Sequence, residues 1–184
     1  VSSLSPSAAK TTRSTSSIAS SSRRTQAMRS ERYGMMDVAA LPKALFWGNV
    51  SGLNALTTAR NQHIPMYCGS CWAQSVTSAL SDRINMRRNN SFPKTVLAAQ
   101  ALVNCVSANE TNGCRGGDPT AANSWMQEND VPDITCQAYQ AKDLACDAMG
   151  ICQDCTFKGV RMESVCSAVS TFPTARVASH GQIA

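Results

Sequence analysis

The strongest constraint on the fold of this 184-residue chain is the placement of its nine cysteines, which all lie between Cys68 and Cys166. This density is uncommon in cytosolic proteins. It indicates either a disulfide framework formed in an oxidising compartment or a metal-binding module. An odd number leaves at least one thiol outside any set of pairs, and the central question is which cysteine that is.

The first 40 residues differ from the rest in composition and charge. Residues 1–40 contain 11 Ser and 4 Thr, with 6 Lys or Arg against 2 Asp or Glu, a net charge of +4. Residues 41–184 carry 11 basic and 10 acidic residues, a net +1. We interpret 1–40 as a disordered tail or a pro-segment remnant, with a transit peptide as the alternative. A near-neutral remainder offers no basic face, so we expect no nucleic-acid partner.

Helical patterns dominate the chain beyond residue 41. Apolar residues recur at every fourth position from Trp72 to Ile84, which predicts a helix over 71–88 with Ser70 as its N-cap. A second helix is predicted over roughly 95–105. No apolar run approaches the ~20 residues of a membrane-spanning helix, so we expect no membrane span.

A third helix is predicted over 119–128, with Asp118 as N-cap and Pro119 in the first helical position. Residues 136–166 contain five cysteines among short polar segments, and we expect irregular structure held by bridges. Strand signals are few, and the better candidates contain Val160 and Val177.

The run Cys-Gly-Ser-Cys-Trp at 68–72 admits more than one chemical interpretation. A zinc site would pair it with the Cys-x-x-Cys run at 152–155, but the two runs are about 80 residues apart and five cysteines would stay unexplained. A thioredoxin-type redox pair should follow a strand in a βαβ unit, and 62–66 is a poor strand. We therefore expect neither a metal nor a cofactor.

The remaining interpretation is a cysteine nucleophile at Cys71. The predicted helix places this residue at an N-terminus, where unpaired N–H groups and the helix dipole favour a thiolate. A thiolate, unlike a thiol, attacks a peptide carbonyl carbon. The alternative is a buried, inert thiol within a disulfide-rich module.

Several motifs together resemble the papain family of cysteine proteases. The run at 68–72 resembles the signature around that family's nucleophile. The matching segments are Leu41-Pro42-Lys43 with Trp47, Arg60 to Ala73, Asp82 to Asn85, Cys114-x-Gly116-Gly117 and Tyr139 to Asp147. The resemblance covers roughly 41–166. It implies an α+β fold in which 41–184 form mainly the helix-rich, disulfide-braced left domain, with the barrel-like second domain mostly missing.

The resemblance also implies roles for residues before the nucleophile. Gln62 lies nine residues before Cys71, where most of the family has a Gln six before, and the difference is the insertion His63-Ile64-Pro65. Gln62 would then donate to the oxyanion together with the Cys71 N–H. His63 would hold the substrate's C-terminal carboxylate, which makes the enzyme a carboxypeptidase.

Further substrate-binding residues follow from the same resemblance. Tyr67 and Trp72 would line the cleft, and Gly116-Gly117 would pair its backbone with an extended peptide, although an ordinary turn there is equally compatible. We favour Asp118 as a helix cap rather than a pocket residue. The implied disulfides are Cys68–Cys114, Cys105–Cys146, Cys136–Cys152 and Cys155–Cys166.

The pattern is incomplete, because the family's catalytic His and Asn follow the nucleophile by about 130–150 residues. His180 follows Cys71 by 109 residues, and its neighbours do not resemble a catalytic segment. We therefore expect His180 to be non-catalytic and the chain as given to be inactive. The alternatives are a non-catalytic, disulfide-rich binding module and a papain-like endopeptidase.

The expected partners are peptide or protein substrates with a free C-terminus, and the expected state is a monomer. The resemblance implies a lysosomal or secreted protein. Asn-x-Ser/Thr sequons at Asn49, Asn89 and Asn109 support secretion only weakly.

Overall fold

A computed structural model describes residues 38–106, 113–159 and 163–181. The chain divides into two units, Val1–Leu45 and Phe46–Ala184. The described part of the first unit contains one short 3₁₀ helix, Val38–Ala40. The tail predicted over 1–40 lies almost wholly outside the described residues, as does the sequon at Asn109.

The second unit combines helices with small antiparallel sheets, which confirms the α+β class. In chain order, its helices are α1 (Cys71–Arg87), α2 (Ala99–Cys105), α3 (Pro119–Glu128) and α4 (Ala148–Ile151). Its strands are β1 (Val131–Pro132), β2 (Gln153–Lys158), β3 (Glu163–Ala168) and β4 (Thr174–Ala175). Strand β1 pairs with β4, and β2 pairs with β3.

The core lies where α1 meets α2 and α3. The apolar face predicted for α1 is present, since Trp72 and Val76 are buried and Ile84 packs against the same cluster. Leu102 of α2 and Met126 of α3 complete the contact, and both are fully buried. The predicted helix over 71–88 is confirmed to within one residue.

A second buried face of α1 is polar. Thr77, Ser81 and Asn85 are each 0% exposed. The Ser81 hydroxyl accepts the Leu97 N–H at 3.0 Å, and the Asn85 amide both donates to and accepts from the backbone of Thr95 at 2.8 Å. Ser81 and Asn85 give a partly buried stretch of extended backbone the hydrogen bonds that it would otherwise lose.

This polar face explains why α2 begins at Ala99, four residues later than predicted. The backbone before it is extended and hydrogen-bonded on its other side as well. The Ala98 N–H donates to the Pro132 carbonyl at 2.9 Å, and the Ile134 N–H donates to the Val96 carbonyl at 2.7 Å. A helical turn at 95–98 would break all of these bonds.

Helix α3 begins as predicted. The Asp118 carboxylate accepts the N–H groups of Thr120 at 3.1 Å and Ala121 at 2.9 Å, and Pro119 is the first helical residue. These two backbone hydrogen bonds lower the pKa of Asp118 below its usual value.

The expectation of irregular structure over 136–166 is wrong in part. Helix α4 and the β2–β3 hairpin occupy much of this segment, and Cys155 and Cys166 face each other across the hairpin. Nearly every hairpin residue is exposed, so no alternation of apolar and polar residues marks the strands. Val177 lies two residues beyond β4 rather than in a strand, and Val160 is outside the described residues.

Candidate active site

Four disulfides leave Cys71 as the free cysteine, and it is exposed. The bonds join the same four pairs that the family resemblance implied: Cys68–Cys114, Cys105–Cys146, Cys136–Cys152 and Cys155–Cys166. Neither Cys-x-x-Cys run therefore offers two free thiols for a metal or for a redox pair. Within the described parts of the chain, no three metal-ligating side chains cluster together.

Cys71 is the first residue of the 17-residue helix α1. The predicted side-chain cap at Ser70 is wrong, because its hydroxyl lies 2.5 Å from the Tyr139 hydroxyl and makes no cap hydrogen bond. The N-terminal turn of α1 therefore presents its N–H groups and its positive dipole end without a side-chain oxygen over them. Cys71 therefore has the position at a helix N-terminus that the sequence analysis predicted for it.

The loop at 116–117 lies directly against the start of α1. A disulfide joins Cys114 to the residue before Gly69, and the Gly69 N–H donates to the Cys114 carbonyl at 2.7 Å. A Cβ placed on Gly117 would lie 2.6 Å from Cδ2 of Trp72. Only glycine permits this approach, which places the 116–117 backbone against Trp72, the residue after Cys71.

The side chain of Trp72, which the family resemblance assigned to substrate binding, is buried in the structure. The indole is 1% exposed, and its Nε1 donates to the Gly113 carbonyl at 3.1 Å. Trp72 instead supports the 113–117 loop, through the hydrogen bond to Gly113 and the contact of its ring with Gly117. The sequence motif places Trp72 beside Cys71 along the chain but does not say which way its ring points.

The insertion at 63–65 forms an exposed loop that is tied back to the start of α1. His63 and Tyr67 are exposed, and their rings stack with centroids 4.6 Å apart and an interplanar angle of 8°. The His63 Nδ1 accepts a hydrogen bond from the Cys68 N–H, and the two nitrogens are 3.4 Å apart. In the neutral ring this contact leaves the proton on Nε2, so His63 offers a donor on its other side.

Gln62 is half-buried and directs its amide nitrogen toward the same space. Its Nε2 lies 3.4 Å from the His63 Nε2. Since both nitrogens carry protons in this arrangement, both can donate to a bound ligand rather than to each other. The Gln62 Oε1 is buried and has no hydrogen-bond partner among the described residues.

Arg60 fixes the beginning of this segment in the core. Its Nη1 donates to the Thr77 hydroxyl and to the Leu97 carbonyl, each at 3.2 Å. Burial lowers the pKa of Arg60, and the nearby Asp82 carboxylate partly opposes that shift.

The motif analysis did not single out Tyr139 as a site residue. Its hydroxyl donates to the Gln62 carbonyl at 2.7 Å and lies 2.5 Å from the Ser70 hydroxyl. Tyr139 belongs to a segment that resembles the family, which was the only signal in the sequence.

These elements form a free thiol at a helix N-terminus, a glycine backbone beside it and an amide donor on an adjoining loop. The sequence model that describes papain family cysteine proteases matches residues 41–181. The chain belongs to the papain family. It is therefore related to cysteine peptidases, and its α+β fold is the fold of that family.

Individual papain-family relatives agree. Cathepsin Z of Onchocerca volvulus is 36% identical over 153 residues, which are 83% of this chain and 46% of that protein. Cathepsin L 1 of Paramecium tetraurelia is 33% identical over 79 residues, 43% of this chain and 24% of that protein. Pro-cathepsin H of Mus musculus is 30% identical over 106 residues, 57% and 29% respectively. The chain spans less than half the length of each.

A papain-family nucleophile requires an imidazole as its proton acceptor. The sequence contains two histidines. His63 lies on the exposed loop described above, and the Nε2 of His180 lies 3.1 Å from the Ser124 hydroxyl on α3.

Asp118 serves as the cap of α3, as the sequence favoured. In the described parts of the chain, no helix is both long and apolar enough to span a membrane.

Proposed function

We propose that this papain-family protein is a carboxypeptidase of the cathepsin Z (cathepsin X) type, which hydrolyses the last peptide bond of its substrates. The observation that carries the proposal is the loop at 62–67. It holds an exposed imidazole whose Nε2 faces the same space as the Gln62 amide. A carboxylate bound there would stop the chain one residue beyond the bond that is cut.

In the proposed reaction the Cys71 thiolate attacks the carbonyl carbon of that bond. The oxyanion accepts hydrogen bonds from the Cys71 N–H and from the Gln62 Nε2. One preorganised donor of this kind supplies about 3–4 kcal/mol of transition-state stabilisation. The 116–117 backbone would bind the substrate as an extended strand, which the absence of side chains permits.

His63 and Tyr67 provide the selectivity for a free C-terminus. The stacked Tyr67 ring and the contact of His63 Nδ1 with the Cys68 N–H both limit rotation of the imidazole. A fixed donor loses less conformational entropy on binding a carboxylate than a mobile one does. Protonation of His63 would strengthen the contact by adding a positive charge.

We further propose that the imidazole base is not supplied by His180, and that 41–184 form the N-terminal part of a larger peptidase domain. The 184 residues alone would then react with alkylating agents at Cys71 without turning over peptides. Four disulfides require an oxidising compartment, which supports a lysosomal or secreted location. The proposed substrates are peptides or proteins with a free C-terminus, and the proposed state is a monomer.

The test compares one peptide with a free and with an amidated C-terminus, using full-length enzyme. We expect cleavage of the free acid only, and loss of this preference in His63→Ala. Because a hydrogen bond to a charged group contributes about 1.5–3 kcal/mol, kcat/KM for the free acid should fall roughly 10- to 150-fold.

His180→Ala is the matched control, because it removes the other histidine and should leave kcat/KM within twofold. Equal cleavage of the amidated peptide by the unaltered enzyme would exclude the carboxypeptidase. Products cut only at internal bonds would identify an endopeptidase instead. No cleavage at all would favour the non-catalytic binding module.

A further inference from the structure

We infer that Tyr139 is a positioning residue, whose hydroxyl binds the Gln62 main-chain carbonyl and so fixes the backbone that carries the Gln62 side chain relative to the N-terminus of α1. The inference rests on the proposed function, because it concerns the two donors proposed for the oxyanion. Its physical basis is a pair of hydrogen bonds that connect segments far apart in sequence.

The direction of these hydrogen bonds follows from counting protons. A tyrosine hydroxyl has one proton, and the Gln62 carbonyl, 2.7 Å away, can only accept it. The second contact, 2.5 Å from the Ser70 hydroxyl, must therefore be donated by Ser70. The result is a single chain of hydrogen bonds that runs from Ser70 through Tyr139 to Gln62.

This chain joins the two segments that would form the oxyanion site. Ser70 is adjacent to Cys71, whose N–H is one proposed donor, and Gln62 carries the other. The Gln62 side chain itself is weakly held, because its Oε1 has no partner in the described part of the chain and its Nε2 has only the 3.4 Å contact to His63, so its position depends on the backbone that carries it. Tyr139 therefore supplies the short hydrogen bond that sets the position of Gln62.

The backbone that follows Tyr139 is held by a buried side chain of α2. Gln100 is 0% exposed, accepts the Gln140 N–H at 2.9 Å and donates to the Lys142 carbonyl at 2.8 Å. These bonds fix the backbone on both sides of residue 141 without using the phenol. Removal of the hydroxyl alone should therefore leave the 140–142 segment in place.

The Ser70 end of this chain should leave the helix terminus unchanged. Ser70 has φ −99° and ψ 20°, outside the extended conformation of an ordinary N-cap, and its hydroxyl makes no cap hydrogen bond to the first turn of α1. Loss of the Tyr139 hydroxyl should therefore not create a cap there, and its effect on kcat should pass through Gln62.

The kinetic test is a double-mutant cycle of Tyr139→Phe and Gln62→Ala in the full-length enzyme. We expect Tyr139→Phe to lower kcat by about tenfold with KM within twofold, a part of what deleting an oxyanion donor does. In the Gln62→Ala background the same change should have almost no further effect. Additive losses in the cycle would show that Tyr139 does not act through Gln62, which overturns the inference.

Ser70→Ala tests how much of the loss in kcat comes from each of the two hydrogen bonds of Tyr139. It removes the donor to Tyr139 but keeps the bond from Tyr139 to Gln62, so its loss in kcat should be smaller than that of Tyr139→Phe. An equal or larger loss would place the effect at the helix terminus rather than at Gln62.

Amide hydrogen exchange gives a readout that does not depend on catalysis. In Tyr139→Phe the amides of 61–67 should exchange faster than in the unaltered protein, while those of 76–85 in α1 keep their rates. Unchanged exchange over 61–67 would overturn the inference by itself. An unaltered enzyme without peptidase activity would remove the proposed function, and the exchange result would then decide the placement of Gln62.

Discussion

A methyl group added at Gly117 tests whether the loop beside the nucleophile is fixed by Trp72. The Cβ of Gly117→Ala would lie 2.6, 2.7 and 2.8 Å from Cδ2, Cε2 and Cγ of the indole. Carbon atoms in proteins pack at about 3.5–4.0 Å, so the ring and the loop must separate by roughly 1 Å.

The indole has little freedom to supply that movement. It is 1% exposed, packs in the core between α1 and its neighbours, and donates its one N–H to Gly113 at 3.1 Å. Overpacking a close-packed core costs about 1–3 kcal/mol, and a weakened hydrogen bond adds about 1 kcal/mol. We therefore expect Gly117→Ala to lower the free energy of unfolding by about 2–4 kcal/mol.

Urea unfolding of the oxidised chain measures this loss, and the midpoint of thermal unfolding should fall by roughly 5–10 °C. Gly181→Ala is the control, because no atom of the residues that the structure describes lies within 4 Å of its added Cβ, and it should stay within about 0.5 kcal/mol. A loss in Gly117→Ala no larger than the control's would refute the proposed packing. In a Trp72→Phe background the added methyl should cost about 1 kcal/mol less, since the smaller ring leaves space for it.

Three further changes test other parts of the structure. Asn85→Ala should lower the free energy of unfolding by about 2–4 kcal/mol, because it leaves the N–H and C=O of Thr95 without partners, whereas the exposed Ser75→Ala on the same helix should change it by less than about 0.5 kcal/mol. Asp118→Asn should destabilise the protein at neutral pH but not in acid. The folded-state pKa of this carboxyl is lowered, so its contribution is present above the unfolded pKa of about 3.9 and is lost as the pH falls through the folded value. Iodoacetamide should label Cys71 and no other residue of the oxidised chain, as peptide mapping would show, and a second labelled cysteine would contradict the disulfide pairing.

Local interactions explain which helix starts could be predicted. Asp118 caps α3 through N–H groups two and three residues ahead, so the whole interaction is contained in a short stretch of sequence. Ser70 precedes α1 in the same way, and the same reasoning gave the wrong result. Its hydroxyl is taken by Tyr139, 69 residues later, and a propensity argument has no access to that competitor.

Hydrophobic periodicity gave α1 but not its full contribution to the core. The pattern marks the apolar residues at every fourth position from Trp72 to Ile84. Thr77, Ser81 and Asn85 are polar, and a polar pattern on a helix is typical of a solvated face. Ser81 and Asn85 are buried because the extended segment before α2 needs hydrogen-bond partners, whereas the Thr77 hydroxyl donates to the Ala73 carbonyl and accepts from Arg60. The late start of α2 and the burial of Ser81 and Asn85 therefore have one cause, which appears only when the two segments are in contact.

The candidate site divides in the same way into residues that a motif can find and residues that it cannot. Cys71, His63 and Tyr67 are exposed, as groups that meet a substrate must be. Trp72 and Tyr139 are less exposed. Trp72 packs against the glycine loop, and Tyr139 donates to the Gln62 carbonyl. Exposed residues can be replaced at little cost in folding free energy, whereas the buried Trp72 cannot. A variant series that compares unfolding free energy with kcat should therefore separate the two groups. Substitution of Cys71, His63 or Tyr67 should lower activity at constant stability, whereas substitution of Trp72 should lower both activity and stability.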